Sequence, residues 1–168
     1  MASGAIVGQI ISVLPPATLF PQPYVRQGGS TPVERVLVYG FDAATAEYLD
    51  FLVLLRGYAG GGLTIAVAWS AFSAITGNTI WRIGIRRIQD DAEDIDAAHT
   101  YDYNSVTDAA PSASGEVVYP TITFTNGADM DSWADGELAI VRVGRDAANA
   151  SDTMAADAEL WTPEIRET

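Results

Sequence analysis

Apolar and polar positions alternate along most of this chain. Between Leu63 and Ser70 the odd positions are Leu63, Ile65, Val67 and Trp69, and the even ones are Thr64, Ala66, Ala68 and Ser70. The same period runs from Thr79 to Ile88, where Trp81, Ile83 and Ile85 oppose Arg82, Gly84 and Arg86. It returns from Val118 to Asn126, where Val118, Ile122 and Phe124 oppose Tyr119, Thr121, Thr123 and Thr125. A period of two sends successive side chains to opposite faces of a strand, so these segments are predicted as half-buried strands of antiparallel sheets. Less regular alternation predicts further strands at Ala5–Leu14, Val33–Phe41, Tyr48–Arg56, Glu137–Arg145 and Ala158–Ile165.

The punctuation between these segments is that of an all-β chain. Gly77-Asn78, Asn126-Gly127 and Asp135-Gly136 supply residues that tolerate positive φ, and Gly57 with Gly60–Gly62 reads as a hairpin turn. Those glycines are not a phosphate loop, because no Gly-Lys-Ser/Thr follows and strands flank them on both sides. Eight strands imply two packed sheets, and a jelly-roll β-sandwich is the predicted architecture for residues 33–168. Residues 1–32 are predicted as an extended N-terminal arm, since Pro15, Pro16, Pro21 and Pro23 crowd together ahead of Gln27-Gly28-Gly29-Ser30. An arm can reach a neighbour, which makes Pro15, Pro16, Phe20, Pro21, Pro23, Tyr24 and Arg26 the candidate partner contacts.

Composition narrows the functions. With 168 residues, 48% hydrophobic, the chain has the apolar mass for one domain with a sizeable core. It carries 22 acidic residues against 9 basic ones, all arginine, for a net charge of −13. That field repels phosphate backbones, so nucleic acid is not expected as a partner. The absence of cysteine excludes disulfides, thiolate metal sites and a thiol nucleophile. No basic residue precedes Arg26, so the N-terminus does not read as a secretory signal. The most apolar region, Tyr48 to Phe72, is interrupted by Asp50, Arg56 and glycines before it reaches the roughly 18 residues of a membrane helix, and a soluble protein without a membrane partner is expected.

Candidate chemistry is sparse. His99 is the single histidine, and neither a Gly-x-Ser-x-Gly elbow nor a His-Glu-x-x-His pair accompanies it. The run Asp90-Asp91-Ala92-Glu93-Asp94-Ile95-Asp96 offers oxygen ligands but lacks the spacing of a calcium loop. A glycosidase needs two carboxyls across a cleft, and no pair stands out. No catalytic residue, metal or cofactor is therefore assigned. Among the tryptophans, Trp69 and Trp81 lie on apolar faces, and Trp133, within Asp131-Ser132-Trp133-Ala134-Asp135, is the candidate for a surface contact with glycan.

Several stretches carry a family likeness: Phe41-Asp42-Ala43 to Tyr48-Leu49-Asp50-Phe51, Tyr58-Ala59-Gly60-Gly61-Gly62-Leu63-Thr64-Ile65, and Gly77-Asn78-Thr79-Ile80-Trp81. Thr121 to Asn126, Arg142-Val143-Gly144-Arg145-Asp146 and Asp152 to Leu160 extend it. Together they resemble the small jelly-roll structural proteins of tailed bacteriophages, several of which act as capsid decoration, or cement, proteins. The resemblance implies a non-enzymatic homotrimer on the outer capsid surface of the virion, clamping the major capsid protein. The alternative is a carbohydrate-binding jelly roll, such as a fibre or receptor-binding accessory protein.

Overall fold

Among the described residues ten strands are divided between two antiparallel sheets: β1 (Gly8–Leu14), β2 (Gln22–Gly28), β3 (Glu34–Phe41), β4 (Glu47–Leu55), β5 (Leu63–Ala71), β6 (Asn78–Ile88), β7 (Tyr103–Ala109), β8 (Thr121–Phe124), β9 (Leu138–Arg145) and β10 (Ala158–Glu167). The computed structural model describes residues 4–73 and 76–168. Sheet I has the order β1-β4-β9-β6-β7 and sheet II the order β2-β3-β10-β5-β8. The result is a β-sandwich of jelly-roll type. Among the described residues no helix is long and apolar enough to cross a membrane.

The core forms where the inward faces meet. Leu49, Phe51, Val53, Trp81, Ile83, Val141 and Val143 of sheet I pack on Phe41, Leu63, Ile65, Val67, Trp69 and Leu160 of sheet II. Trp69 and Trp81 face each other from opposite sheets with ring centroids 5.9 Å apart, and Phe41 meets Trp81 edge-on at 5.2 Å. These aromatics are positioned by the alternation itself, and each removes a large apolar area from water. On β5 the even positions Ala66, Ala68 and Ser70 are buried too. A central strand is covered on both sides, and small side chains leave room for what lies over them.

Three expectations need correction. The predicted arm, residues 1–32, is extended, but much of its backbone is part of the sandwich. β1 pairs with β4 along its length, β2 pairs with β3, and Val7 donates to Ile165 O over 3.1 Å. Both strands lie at sheet edges with most side chains in water; β1 falls within the strand expected at Ala5–Leu14, whereas β2 lacks the alternation that marks a half-buried strand. Pro15 and Pro16 lie in the link that carries the chain from sheet I to sheet II; residues 1–3 lie outside the described residues. Second, residues 57–62 are not a hairpin turn, because β4 and β5 belong to different sheets. Gly62 has φ +89°, and an added Cβ there would come within 2.6 Å of Phe124 O. Third, β7 lies between Ile88 and Val118, where no strand is expected from the alternation; it is an edge strand whose polar sequence gives no periodic signal.

Candidate functional site

Glu159 has the least expected environment in the chain. It lies on β10 with 0% exposure, on the outer side of sheet II. Its carboxylate accepts Arg26 Nε at 2.6 Å, together with the Tyr24 and Ser70 hydroxyls. Burial pushes its carboxyl up to about 7; the three donors favour the ionised form, and the loss of water outweighs them. Ser70 Oγ in turn accepts the indole N–H of Trp161 at 2.9 Å. Arg26 also donates to Ala71 O and Ser114 Oγ, at 3.2 Å each, and to Phe72 O at 3.3 Å.

Local sequence explains how these groups meet. The β10–β5 register shifts between Leu160 and Thr162, which leaves Trp161 as the extra residue of a bulge. Trp161 shares the parity of Glu159 and faces outward beside Arg26, and the bulge returns Pro163 and Ile165 to the core side after it. Gly115, at φ +79°, closes the loop over the guanidinium, since a Cβ there would lie 2.5 Å from the Arg26 Nη1. Two hollows result, of about 280 and 250 Å³, which share Arg26 and Gln27. Tyr24, Phe72 and Glu159 line the first; Glu34, Val36, Ser114 and Trp161 line the second. Phe72 is 53% exposed and meets Tyr24 edge-on at 5.8 Å. The depression thus combines aromatic surface with hydrogen-bonding groups held in place by a buried network.

The opposite face is chemically different. On sheet I, Asp50 and Arg142 form two hydrogen bonds of 2.7 Å, which raise the Arg142 pKa further above its ordinary value. Arg142 lies over the Tyr101 ring at 4.4 Å, and Arg82 lies 5.0 Å from both Tyr48 and Tyr103. Tyr101 and Tyr103 stack at 5.8 Å, and burial pushes the Tyr101 phenol up to about 12. The rings face one another and the two guanidiniums, and one group in the cluster, the buried Arg82 Nε, has no hydrogen-bond partner among the described residues. Beside it is a cavity of about 390 Å³, lined by Leu14, Pro15, Pro16, Leu52, Ile88, Ile95 and Ile140 with Ser12 and Asp50. It is larger than the Arg26 depression but aliphatic, with its one carboxylate already taken by Arg142.

The seven arm residues therefore separate. Tyr24 and Arg26 anchor β2 on Glu159, Pro15 and Pro16 line the aliphatic cavity, Pro21 is buried, Phe20 is half-buried and Pro23 is exposed. Trp133 is a correction: it is 1% exposed and donates its indole N–H to Glu137 O at 3.0 Å, so it cannot touch glycan. Its polar neighbours in sequence cover it. Trp161 is the tryptophan missed by the alternation, and the signal was present: Ala158 and Leu160 keep one parity, Pro163 and Ile165 the other. The carboxylates of Asp90–Asp96 do not converge on one point; Glu93 pairs with Arg86 at 2.7 Å and Asp94 Oδ1 accepts Asp96 N–H. His99 packs edge-on to Tyr101 at 4.8 Å.

No protein-family model matches the sequence, and no curated protein matches it. Among solved structures the chain is similar to TmCBM61 in complex with β-1,4-galactotriose, at 12% identity and a TM-score of 0.42 over 94% of this chain and 88% of that one. It is also similar to the CBM22-1 xylan-binding domain of Xyn10C from Paenibacillus barcinonensis, at 10% identity and a TM-score of 0.48 over 98% of this chain and 97% of that one.

Proposed function

We propose that this protein is a non-catalytic carbohydrate-binding β-sandwich whose ligand rests in the Arg26 depression of sheet II. The observation that carries the reading is the Trp161 indole beside Arg26, Gln27 and Ser114, in a hollow that shares Arg26 and Gln27 with the one lined by Tyr24 and the exposed Phe72. A sugar offers apolar C–H faces and a rim of hydroxyls, so it needs aromatic surface and fixed polar groups side by side. Glu159 positions Arg26 and Tyr24. With its oxygens held by three donors, it is not free to act as a general acid, which supports binding over hydrolysis.

The test is calorimetry of the full chain against soluble polysaccharides, guided by a glycan array. Trp161→Ala and Phe72→Ala should each weaken binding at least tenfold while leaving the circular dichroism of the sandwich intact. Wild-type protein that binds no glycan would remove the reading.

A second reading, a cement protein on the major capsid protein of a virion, is favoured by a different observation. Ile6, Ile11, Leu14 and Leu19 are all exposed along the N-terminal segment, an apolar row suited to docking on a shell. It predicts that particles lacking the protein release DNA at a lower temperature.

A further inference from the structure

One face of the distal half of the β2–β3 ribbon, the one opposite Arg26, is built as an interface and meets no partner among the described residues. Val25 and Leu37 are directly opposite each other in the β2–β3 register. They share the face that, farther along β3, turns Phe41 into the core. Here they are 41% and 55% exposed. Both hydrogen-bonding edges are open as well. β2 is the outermost strand, and β3 pairs with β10 only through Tyr39–Phe41. Beyond Leu160 that side of β10 is taken by the N-terminus, with Val7 N–H on Ile165 O and Glu167 N–H on Ala5 O. A two-stranded ribbon with one apolar face left open is marginal in water, and open edges invite another chain. Arg35, on the same face as Leu37, makes no ion pair among the described residues.

The complementary surface lies on sheet I. The aliphatic cavity of about 390 Å³ shares Ile88 with a neighbouring hollow of about 370 Å³ lined by Asp90 and Asp91. Asp90, Asp91, Asp94 and Asp96 are exposed around Ile95, which is itself 53% exposed. The nearby cations are spent, Arg86 on Glu93 and Arg87 on Glu137. An apolar furrow with an acidic rim matches an apolar ribbon carrying one unpaired arginine.

We propose that the β2–β3 ribbon of one copy docks in the sheet I furrow of a second copy, with Leu37 and Val25 entering the aliphatic cavity and Arg35 meeting the carboxylates at its rim. Ribbon and furrow are different surfaces, so the contact is heterologous and repeats around a closed ring or along an open chain. Tyr24 and Arg26 face the other side of the ribbon, and of the residues lining the Arg26 depression only Val25 takes part in the contact.

Sedimentation velocity of the full chain over a range of micromolar concentrations tests this. Leu37→Asp damages only the ribbon and Ile95→Asp only the furrow, and both alter exposed side chains that the fold does not need. Wild type should be oligomeric and each variant monomeric. An equal mixture of the two should form a heterodimer and nothing larger, because one intact ribbon then meets one intact furrow. Arg35→Glu should shift assembly to higher concentration, and salt should weaken the wild-type contact. A monomeric wild type would overturn the proposal and leave the ribbon to a different protein. An Ile95→Asp variant that assembles like wild type, or a mixture that stays monomeric, would overturn it in favour of another mode of association.

Discussion

The phenol of Tyr24 on β2 reaches the carboxylate of Glu159 on β10 across β3, the strand that separates them. Gly40 makes the crossing possible. It stands between Gln22 and Glu159 in the register, and a Cβ there would lie 3.0 Å from Tyr24 Cε1. Gly40→Ala should displace the ring and cost about 1 kcal/mol through overpacking, read as a lower urea midpoint. The cost should largely vanish in a Tyr24→Ala background, because the clash is then gone.

Glu159 links stability to pH. Its carboxyl is raised from 4.5 to about 7 by burial, so the folded state holds the proton more tightly than the unfolded chain does. Its contribution is complete below about pH 4.5 and is lost as the pH rises through about 7. Relative to Glu159→Gln, the wild type should lose roughly 1–3 kcal/mol across that window and then level off. Urea titrations at several pH values check this, and a relative stability that rises with pH would mean that the Arg26 pair dominates instead.

Arg145 and Asp152, both with side chains at 0% exposure and 2.7 Å apart, fasten the loop before β10. Arg145 also donates to Phe41 O, Met154 O and Ala156 O, while Asp152 accepts the Ile80 N–H at 3.0 Å. Removing one partner strands the other charge in the interior, at a cost of about 3–5 kcal/mol. Asp152→Ala should show that loss in chemical denaturation, far more than Glu164→Ala, whose partner Arg166 lies on the surface.

Trp133 and Phe72 should respond in opposite ways. Trp133→Ala empties a buried site and should cost about 3–5 kcal/mol, with glycan affinity unchanged in whatever fraction stays folded. Phe72→Ala should leave the thermal midpoint within a degree or two and affect only binding. Parallel melting curves and calorimetry separate the two.

Alternation determined eight of the strands and the apolar faces that carry Trp69 and Trp81, and hence the two-sheet fold. The signal is strong there because burying one face of a strand demands period two. β2 and β7 escaped it: β2 is an edge strand with most side chains in water, and the half-buried face of β7 carries Asn104 and Asp108 beside Val106, so it is polar and gives no apolar period. The depression around Glu159 was out of reach for a different reason. Its residues come from β2, β5, β10 and the loop at Gly115, far apart in the chain, and only sheet order brings them together. Tyr24 and Arg26 were singled out as arm contacts because they follow the prolines, whereas register gives them a buried carboxylate to hold. Trp133 looked exposed because aspartates flank it, and neighbours in sequence do not report what packs above a side chain. Sequence periodicity fixes which face of a strand is apolar; which strands become neighbours, and therefore which polar groups converge, is decided by the packing of the whole sandwich.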